Sequence, residues 1–174
     1  MPSLDKSNSF VFSLITTWLI CVVAGLVYFQ LEQLKPFDSS KVLLQKHWFN
    51  NFKKQLDWVD TGEPSLVLIT EKKCGCTIQA KPHISSLTSF AANKAMKVVQ
   101  VELTPKLKHV IPATPAAVII NKDGEFVYAG PLSEGLACAQ GSGFVETAVT
   151  NLAAGFNSNL LITQTKGCYC VNNA

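Results

Sequence analysis

Residues 10–29 form a predominantly apolar run without a charged side chain, and this run constrains the fold more than any other feature. A helix of about 20 apolar residues is long enough to cross the hydrocarbon core of a membrane. Tyr28 and Phe29 lie at the end of the run, where aromatic side chains often meet the membrane surface. A cleaved signal peptide would have a shorter apolar region followed by a cleavage site between small residues, and the residues after Tyr28 offer none. The sequence therefore predicts an uncleaved transmembrane anchor over residues 10–30, after a short tail at residues 1–9.

Six cysteines help to indicate on which side of the membrane the rest of the chain lies. One of them, Cys21, lies within the apolar run, and the other five lie beyond it. Five thiols in one domain of this size are typical of an oxidising compartment. More lysines follow the run than precede it, which would favour the cytoplasm, but long domains cross membranes largely regardless of their charge. We therefore expect a single-pass protein of the bacterial inner membrane whose soluble domain lies in the periplasm.

The charges of the chain argue against a nucleic-acid partner. There are 15 basic and 12 acidic residues, a formal net charge of +3, and every basic residue is a lysine. Arginine is the residue favoured for dedicated phosphate recognition, and an excess this small leaves no concentrated basic patch. The glycine-rich segment 134–143 lacks the Gly-Lys-Ser/Thr sequence of a phosphate loop, and nothing points to a flavin. We expect no cofactor, and the sequence leaves the oligomeric state open.

The segment between the anchor and the domain, residues 31–59, is predicted to be a juxtamembrane connector followed by an amphipathic helix. Asp38, Ser39 or Ser40 would cap that helix, because short polar side chains accept hydrogen bonds from its first N–H groups. Apolar residues then recur at three- and four-residue intervals as far as Leu56, which is the period of a helix with one buried face.

A domain of the α/β class is predicted over residues 60–156. Its predicted strands are Ser65–Thr70, 97–103, Ala116–Ile120 and 125–130. An Asn-Lys-Asp-Gly turn joins the last two strands, so they should pair antiparallel. Helices are predicted over residues 77–93 and after Ser142. The remaining residues, 157–174, form a tail that carries two cysteines.

Cys74 and Cys76 lie at the junction between a predicted strand and a predicted helix. The turn would place Cys74 at the N-terminal end of the helix, where unpaired N–H groups and the helix dipole favour negative charge. The thiolate is the negative form of cysteine, and it is the form that attacks disulfides and binds metals. Lys72 and Lys73 add positive charge beside it. The sequence therefore predicts a redox or metal-handling thiol site, in which Cys74 must be accessible from solvent.

Three local patterns make this domain similar to the thioredoxin fold. Pro82 follows Cys74 by eight residues, which is the offset between the nucleophilic cysteine and the helix-kinking proline in thioredoxins. Thr114 and Pro115 before a strand resemble the cis-proline element of that family, and segment 130–133 resembles its glycine-led loop. The whole layout also looks like a group of uncharacterised, membrane-anchored bacterial proteins with a thioredoxin-like domain. The resemblance implies a central mixed sheet of about four strands flanked by helices. It also implies that Cys74 is the nucleophile and that Pro115 is a cis-proline facing it.

The sequence departs from the thioredoxin pattern at the thiols themselves. The usual motif has two residues between its cysteines, whereas only Gly75 separates them here. Lys73 occupies the place of a tryptophan that often precedes the first cysteine, and Leu68 occupies the place of a buried carboxylate. The residues that transfer protons during thiol exchange in thioredoxins therefore cannot be assigned to positions of this chain.

The first functional hypothesis is a membrane-tethered thiol–disulfide oxidoreductase that acts on protein thiols or disulfides. Cys74 would attack to form a mixed disulfide, and Cys76 would resolve it. Three further cysteines are candidate resolving or relay residues: Cys138, Cys168 and Cys170. The resemblance further implies that Thr114 and Pro115 bind the substrate, because backbone groups there would pair with it beside the thiols.

Two other hypotheses stay open. The cysteines of the two Cys-x-Cys pairs would form a thiolate site for Cu(I) or Zn(II), with these ligands: Cys74, Cys76, Cys168 and Cys170. His83 and His109 are candidate additional ligands. Zinc usually prefers two or more residues between paired cysteines, so the spacing suits Cu(I) better. Alternatively, the cysteines only staple an inactive thioredoxin-like interaction module, for example through a bridge from Cys138 to the tail.

Overall fold

The computed structural model describes residues 6–135 and 143–172, and the chain divides into two compact units. The first unit is Met1–Leu34 and the second is Lys35–Ala174. The predicted cap Ser142 lies outside the described residues.

The first unit consists of one long helix, α1, at Lys6–Gln33. Within it, Ser9–Tyr28 has a mean hydropathy of 2.4, and none of its most apolar window is buried against protein. In the described part of the chain, α1 is the one helix that is long and apolar enough to cross a membrane. The predicted N-terminal apolar helix is thus confirmed, with the length and composition of a membrane span.

The second unit is built from three helices and nine short strands in the described residues. In chain order they are β1 (Lys35–Pro36), α2 (Trp48–Gln55), β2 (Ser65–Thr70), α3 (Gly75–Ala92), β3 (Lys97–Glu102), β4 (Ala113–Thr114), β5 (Ala116–Ile120), β6 (Phe126–Pro131), α4 (Phe144–Ala153), β7 (Leu160–Leu161), β8 (Lys166–Gly167) and β9 (Cys170–Val171). Two 3₁₀ turns, at Val42–Leu44 and Leu107–His109, complete the unit.

The centre of the second unit is a five-stranded mixed sheet in the order β3-β2-β5-β6-β7. β2 pairs in parallel with β3 and antiparallel with β5, while β6 pairs antiparallel with β5 and in parallel with β7. The predicted α/β class, with a central mixed sheet flanked by helices, is confirmed. The sheet has five strands instead of about four, because residues predicted to belong to the tail form β7 and pair with β6.

Both faces of β2 are buried, which explains its continuous apolar sequence. Leu66 and Leu68 pack into a core that includes side chains of α3 and α4. Val67 and Ile69 pack into a second core on the opposite face. This alternation follows from the two-residue period of a strand. Complete burial of one such side chain contributes roughly 1.5–3 kcal/mol relative to exposure, so β2 anchors both layers of the domain.

The predicted helix of residues 38–56 is wrong in its first half. α2 begins only at Trp48, after a short 3₁₀ turn. The buried Asp38 carboxylate accepts hydrogen bonds from the backbone N–H groups four and five residues later, at 2.7 and 2.9 Å, and so closes a turn there. Lys41 and His47 have φ angles of 54° and 60°, a left-handed conformation that a regular helix excludes. Apolar spacing alone does not reveal these backbone conformations.

α2 covers one face of the sheet with aromatic side chains. Trp48 and Phe52 are buried and stack with their ring centres 5.7 Å apart. The indole N–H of Trp48 donates a hydrogen bond to the carbonyl oxygen of Val110 at 2.6 Å. Val110 precedes β4 by only a few residues, so this bond fixes α2 against the segment that leads into β4.

The last described residues return to the body of the domain and do not form a free tail. β8 pairs antiparallel with β1, and β9 pairs antiparallel with β4. The backbone N–H groups of Phe37 and Asp38 donate to the carbonyl oxygens of Thr165 and Thr163, at 3.0 and 3.2 Å. These contacts hold the C-terminal segment beside β4 and beside the start of α3.

Candidate thiol site

Cys74 is the N-cap residue of α3, the helix that follows the central strand β2. Its backbone is extended, and its N–H donates to the carbonyl oxygen of Glu71 at 3.1 Å, which closes the turn after the strand. The N–H of Thr77 donates to the Cys74 sulfur over 3.4 Å. This is the place where a capping oxygen normally satisfies an unpaired helix N–H. A thiolate at Cys74 would be stabilised by that N–H and by the helix dipole.

The structure brings together all four cysteines of the two Cys-x-Cys pairs. Cys74 is bonded to Cys170 and Cys76 to Cys168, with Cα atoms 5.9 and 5.5 Å apart. The sulfurs of Cys74, Cys76 and Cys170 all lie within 4.8 Å of one another. A thiolate formed at one of them is therefore close to another disulfide, which is the arrangement that thiol–disulfide exchange requires.

Cys74 is not accessible in this form, contrary to the expectation from sequence. Its exposed fraction is 2%, whereas the other three bonded cysteines are half-buried. The cover is the C-terminal segment, because β9 lies along β4 and carries Cys170 onto Cys74. A reaction of Cys74 with an external partner therefore requires this cover to move. Cys138, the third candidate resolving residue, lies outside the described residues.

Thr114 and Pro115 lie directly beside the thiols. The peptide bond between them is cis, and the Thr114 carbonyl oxygen lies 3.8 Å from the sulfur of Cys74. Both the helix start and the end of β4 therefore contact the same sulfur. The residues predicted to bind substrate are close enough to contact a molecule bonded to Cys74.

The backbone edge of β4 is occupied by the C-terminal strand. Ala113 pairs with Val171, and Thr114 pairs with Cys170. Asn172 extends this contact, because its backbone N–H and its side-chain amide each donate at 2.8 Å to carbonyl oxygens just before β4. The chain itself thus fills the edge at which a partner strand was expected.

Tyr169 holds this strand in place, and the sequence reasoning missed it. The side chain is 5% exposed, and its ring meets that of Phe37 edge-on, with centroids 5.1 Å apart. Its hydroxyl donates a hydrogen bond to the carbonyl oxygen of Ser133 at 2.8 Å. An aromatic residue between two cysteines was the one visible signal in the sequence. Its partners come from segments far away in the chain, so no local pattern identifies them.

The two histidines considered as additional metal ligands do not join the sulfur cluster. His83 is buried, and its Nε2 lies 2.8 Å from Oε1 of Glu146 on α4. His109 is exposed at the end of a 3₁₀ turn. Among the described residues, the one group of side chains placed to hold a metal ion consists of Cys74, Cys76 and Cys170.

Tyr128 supports the loop that receives Tyr169. Burial raises the pKa of the Tyr128 phenol well above its usual value, and its interactions with Tyr169 and Glu146 raise that pKa further. The phenol therefore stays protonated and donates a hydrogen bond to the carbonyl oxygen of Pro131 at 2.5 Å. This bond fixes the end of β6, two residues before the Ser133 carbonyl that the Tyr169 hydroxyl contacts.

Lys72 contributes little positive charge to the site, because an acidic side chain pairs with it. Lys72 forms an ion pair with Glu102 at 2.6 Å, and both side chains are well exposed. Water screens such charges strongly, and an exposed pair of this kind contributes about 0–1 kcal/mol. The N-terminus of α3 is therefore the stronger source of positive potential at Cys74.

The second unit of the chain matches a known protein family. The family described as "Domain of unknown function (DUF6436)" matches residues 45–172, which are 128 of the 174 residues. The chain therefore belongs to this family. No curated protein matches the chain.

Solved structures of two proteins are among those similar to the chain. The crystal structure of an uncharacterized conserved protein from Geobacillus kaustophilus is 14% identical, with a TM-score of 0.52, over 68% of this chain and 81% of that chain. The crystal structure of a hypothetical protein from Sinorhizobium meliloti 1021 is 12% identical, with a TM-score of 0.49, over 65% of this chain and 80% of that chain. At this identity the likeness to the Geobacillus protein shows a shared fold alone.

The disulfide pairing predicts which cysteine becomes free when its partner is removed. In a Cys170→Ser variant, Cys74 should become free while Cys76 and Cys168 stay bonded, and in Cys168→Ser the free residue should be Cys76. Alkylation of the acid-quenched, unreduced protein, followed by peptide sequencing in a mass spectrometer, identifies the free residue. Chymotrypsin separates the two tail cysteines for this assignment. Cys21→Ser is the matched control and should alter neither bridge; recovery of Cys74 bonded to Cys76 in the unaltered chain would contradict the pairing.

Proposed function

We propose that this member of the DUF6436 family is a membrane-tethered thiol–disulfide oxidoreductase that exchanges disulfide bonds with cysteines of other proteins. The observation that carries the proposal is the sulfur cluster. Cys74 and Cys76 at the start of α3 are each joined to a cysteine of the tail, and three of the four sulfurs lie within 4.8 Å. A structural bridge needs no second bridge beside it, whereas exchange requires a third sulfur within reach of a bond.

A thioredoxin-like fold of the second unit is part of this proposal. The order of elements supports it: a parallel β2-α3-β3 unit, an antiparallel β5-β6 hairpin and a closing helix, α4. The location of Cys74 at the start of α3, with its sulfur 3.8 Å from the carbonyl oxygen of Thr114, supports it as well. Fold alone does not fix an activity, so the functional argument depends on the cysteines.

The proposed exchange begins at the Cys76–Cys168 bridge. Both of its residues are half-exposed, whereas Cys74 in the other bridge is buried. A thiolate of the partner protein attacks the sulfur of Cys168, and a mixed disulfide forms between the partner and Cys168. The electron pair of the broken bond leaves with Cys76, which becomes a thiolate.

The second step exposes the nucleophile. The Cys76 thiolate attacks the sulfur of Cys170, which lies within 4.8 Å. A Cys76–Cys170 bond forms, the Cys74–Cys170 bond breaks, and Cys74 leaves as a thiolate at the helix N-terminus. The leaving of a thiolate is faster where the thiolate is stabilised, which is the effect of the Thr77 N–H and the helix dipole.

Resolution of the mixed disulfide completes the cycle. A second thiol of the partner attacks the partner's own bonded sulfur and releases Cys168. The partner has then lost two electrons and two protons, and Cys74 and Cys168 have gained them as two thiols. Reduction of a partner begins from the fully reduced protein: the Cys74 thiolate attacks a disulfide of the partner, a Cys74–partner bond forms, and the partner's other sulfur leaves as a thiolate. The Cys170 thiolate then attacks the sulfur of Cys74, re-forms the Cys74–Cys170 bond and releases the partner as a dithiol.

The same considerations support a location for the protein. An oxidising compartment maintains disulfides such as those of Cys74 and Cys76. The apolar helix α1 supplies the tether. We therefore assign α1 to the bacterial inner membrane and the second unit to the periplasm, where exported proteins acquire their disulfides.

Thiolate metal binding is the second candidate function, and the same cluster favours it. After reduction, Cys74, Cys76 and Cys170 would present three thiolates that already lie close together, with Cys168 as a fourth ligand. A tetrahedral site with metal–sulfur bonds of about 2.3 Å has its sulfurs about 3.8 Å apart, so small movements would suffice. Thiolate ligands suit Cu(I) and Zn(II).

Removal of the nucleophile should abolish reduction of a partner. With the fully reduced full chain in detergent and a protein that carries one disulfide as partner, Cys74→Ser should lower the rate of reduction of the partner's disulfide roughly 1,000-fold or more, as expected for loss of a reacting group. The rate is read from a gel shift after alkylation. Cys21→Ser, which changes a cysteine of α1, should leave the rate unchanged.

The same assay has a trapping form. A variant that keeps Cys74 but carries serine at the other cysteines of the second unit should trap a disulfide-bearing partner as a mixed disulfide. A matched variant that keeps only Cys76 should trap a far smaller amount of the partner. If Cys74 neither traps a partner nor reacts after reduction, the cysteines are structural staples and the oxidoreductase proposal is wrong.

The periplasmic location predicts which cysteines are accessible from outside. In cells whose outer membrane has been permeabilised and whose disulfides have been reduced, a membrane-impermeant maleimide should label the tail cysteines, such as Cys168. Cys21, within α1, should stay unlabelled and serves as the internal control. Labelling of Cys168 only after the inner membrane is lysed would contradict the proposed orientation.

Metal binding predicts a stoichiometric metal content under reducing conditions. Protein purified with a reductant should carry about one equivalent of copper or zinc by elemental analysis, and Cys168→Ser together with Cys170→Ser should remove it, because two of four ligands are lost. His109→Ala is the matched control and should retain the metal. A content far below one equivalent in the unaltered chain would rule this candidate out.

A further inference from the structure

The edge of β4 is a strand-binding edge that the chain fills with its own C-terminus. Ala113 and Thr114 are both fully buried, and β9 supplies their strand partner. Without β9 their backbone polar groups would lose hydrogen bonds that buried groups require. A segment that leaves this edge must therefore be replaced by water or by another extended segment.

The C-terminal segment contributes more than backbone pairing. Next to the strand, the ring of Tyr169 is buried against Phe37, and its hydroxyl bonds to the Ser133 carbonyl oxygen. An aromatic side chain with its hydroxyl satisfied in this way is a typical anchor of a recognition surface. The residue that follows the anchor, Cys170, is bonded to Cys74. The aromatic anchor, the bonded sulfur and the strand that pairs with β4 thus come from consecutive residues, 169–171.

We propose that residues 168–172 are an internal copy of the substrate, and that proteins which replace them present an aromatic residue directly before the reacting cysteine. This inference rests on the proposed oxidoreductase function, whose substrate class it names. The substrate is an extended Tyr-Cys or Phe-Cys segment that pairs with Ala113 and Thr114. In the step concerned, the Cys74 thiolate attacks a disulfide sulfur of the substrate, a Cys74–substrate bond forms, and the electron pair leaves with the substrate's former partner thiol.

Matched peptides test the aromatic preference. The protein is a variant of the full chain, kept in detergent, in which Cys74 is retained and the other cysteines of the second unit are replaced by serine. The probes are Gly-Ser-Tyr-Cys-Val-Asn and the same peptide with alanine for tyrosine, each with its cysteine bonded to thionitrobenzoate. Release of the coloured thiolate reports the reaction. The tyrosine peptide should react at least about tenfold faster, a ratio that corresponds to about 1.4 kcal/mol in the transition state.

A second arm tests whether the tail competes for the same site. In the same background, Tyr169→Ala should speed the reaction with the tyrosine peptide severalfold, because the anchor that holds the tail has been removed. Phe156→Ala changes an aromatic side chain that is exposed and outside the site, and it should leave the rate unchanged.

The outcomes separate this inference from the function on which it rests. Equal rates for the two peptides would overturn the substrate assignment while leaving the oxidoreductase proposal standing. A Cys74 that reacts with neither peptide, yet is alkylated by iodoacetamide, would overturn both. A preference for the tyrosine peptide that persists when Tyr169→Ala speeds the reaction supports the internal-substrate assignment.

Discussion

The burial of β2 on both faces is the constraint from which the rest of the domain follows. Leu66 and Leu68 enter one core while Val67 and Ile69 enter the other, so helices and loops must cover both sides of the sheet. β2 also pairs with a parallel strand on one edge and an antiparallel strand on the other. A strand held in four directions has one place at which its end can lie. That end leads directly into Cys74 and the start of α3. The close packing of the core around β2 therefore fixes the position of the Cys74 sulfur.

The C-terminal segment closes this site by several independent contacts. In the chain-entropy description, a disulfide that spans roughly 100 residues stabilises the folded state by about 4–5 kcal/mol, because it lowers the entropy of the unfolded chain. The bridges here span 96 and 92 residues. The two are not additive, because once one bridge is formed the other closes a ring of only a few residues. The second bridge therefore adds little to stability. It does place a further sulfur beside the disulfide of the buried Cys74.

The contacts of Tyr169 and Asn172 hold the C-terminal segment in place in addition to the disulfides. If the disulfides alone held the tail, reduction would release it into solvent. Backbone pairing with β4 and the buried ring of Tyr169 add non-covalent contacts that do not depend on the disulfides. In the closed form the tail therefore occupies the edge of β4 through both covalent and non-covalent contacts.

Sequence alone determined the parts that local patterns encode. The charge-free run of α1, the continuous apolar strand β2, the Asn-Lys-Asp-Gly hairpin and the start of α3 after Cys74 all follow from period, turn chemistry and capping, which act between near neighbours. Apolar spacing failed for the segment after Asp38, where the Asp38 carboxylate closes a turn onto N–H groups four and five residues later and two left-handed residues break the helix. Local patterns also failed for the tail, whose strands exist only because β1, β4 and β6 offer unpaired edges. Tertiary structure decided which cysteines meet and that Cys74 is covered, because disulfide partners about 90 residues apart are chosen by the path of the whole chain and not by the spacing between Cys74 and Cys76.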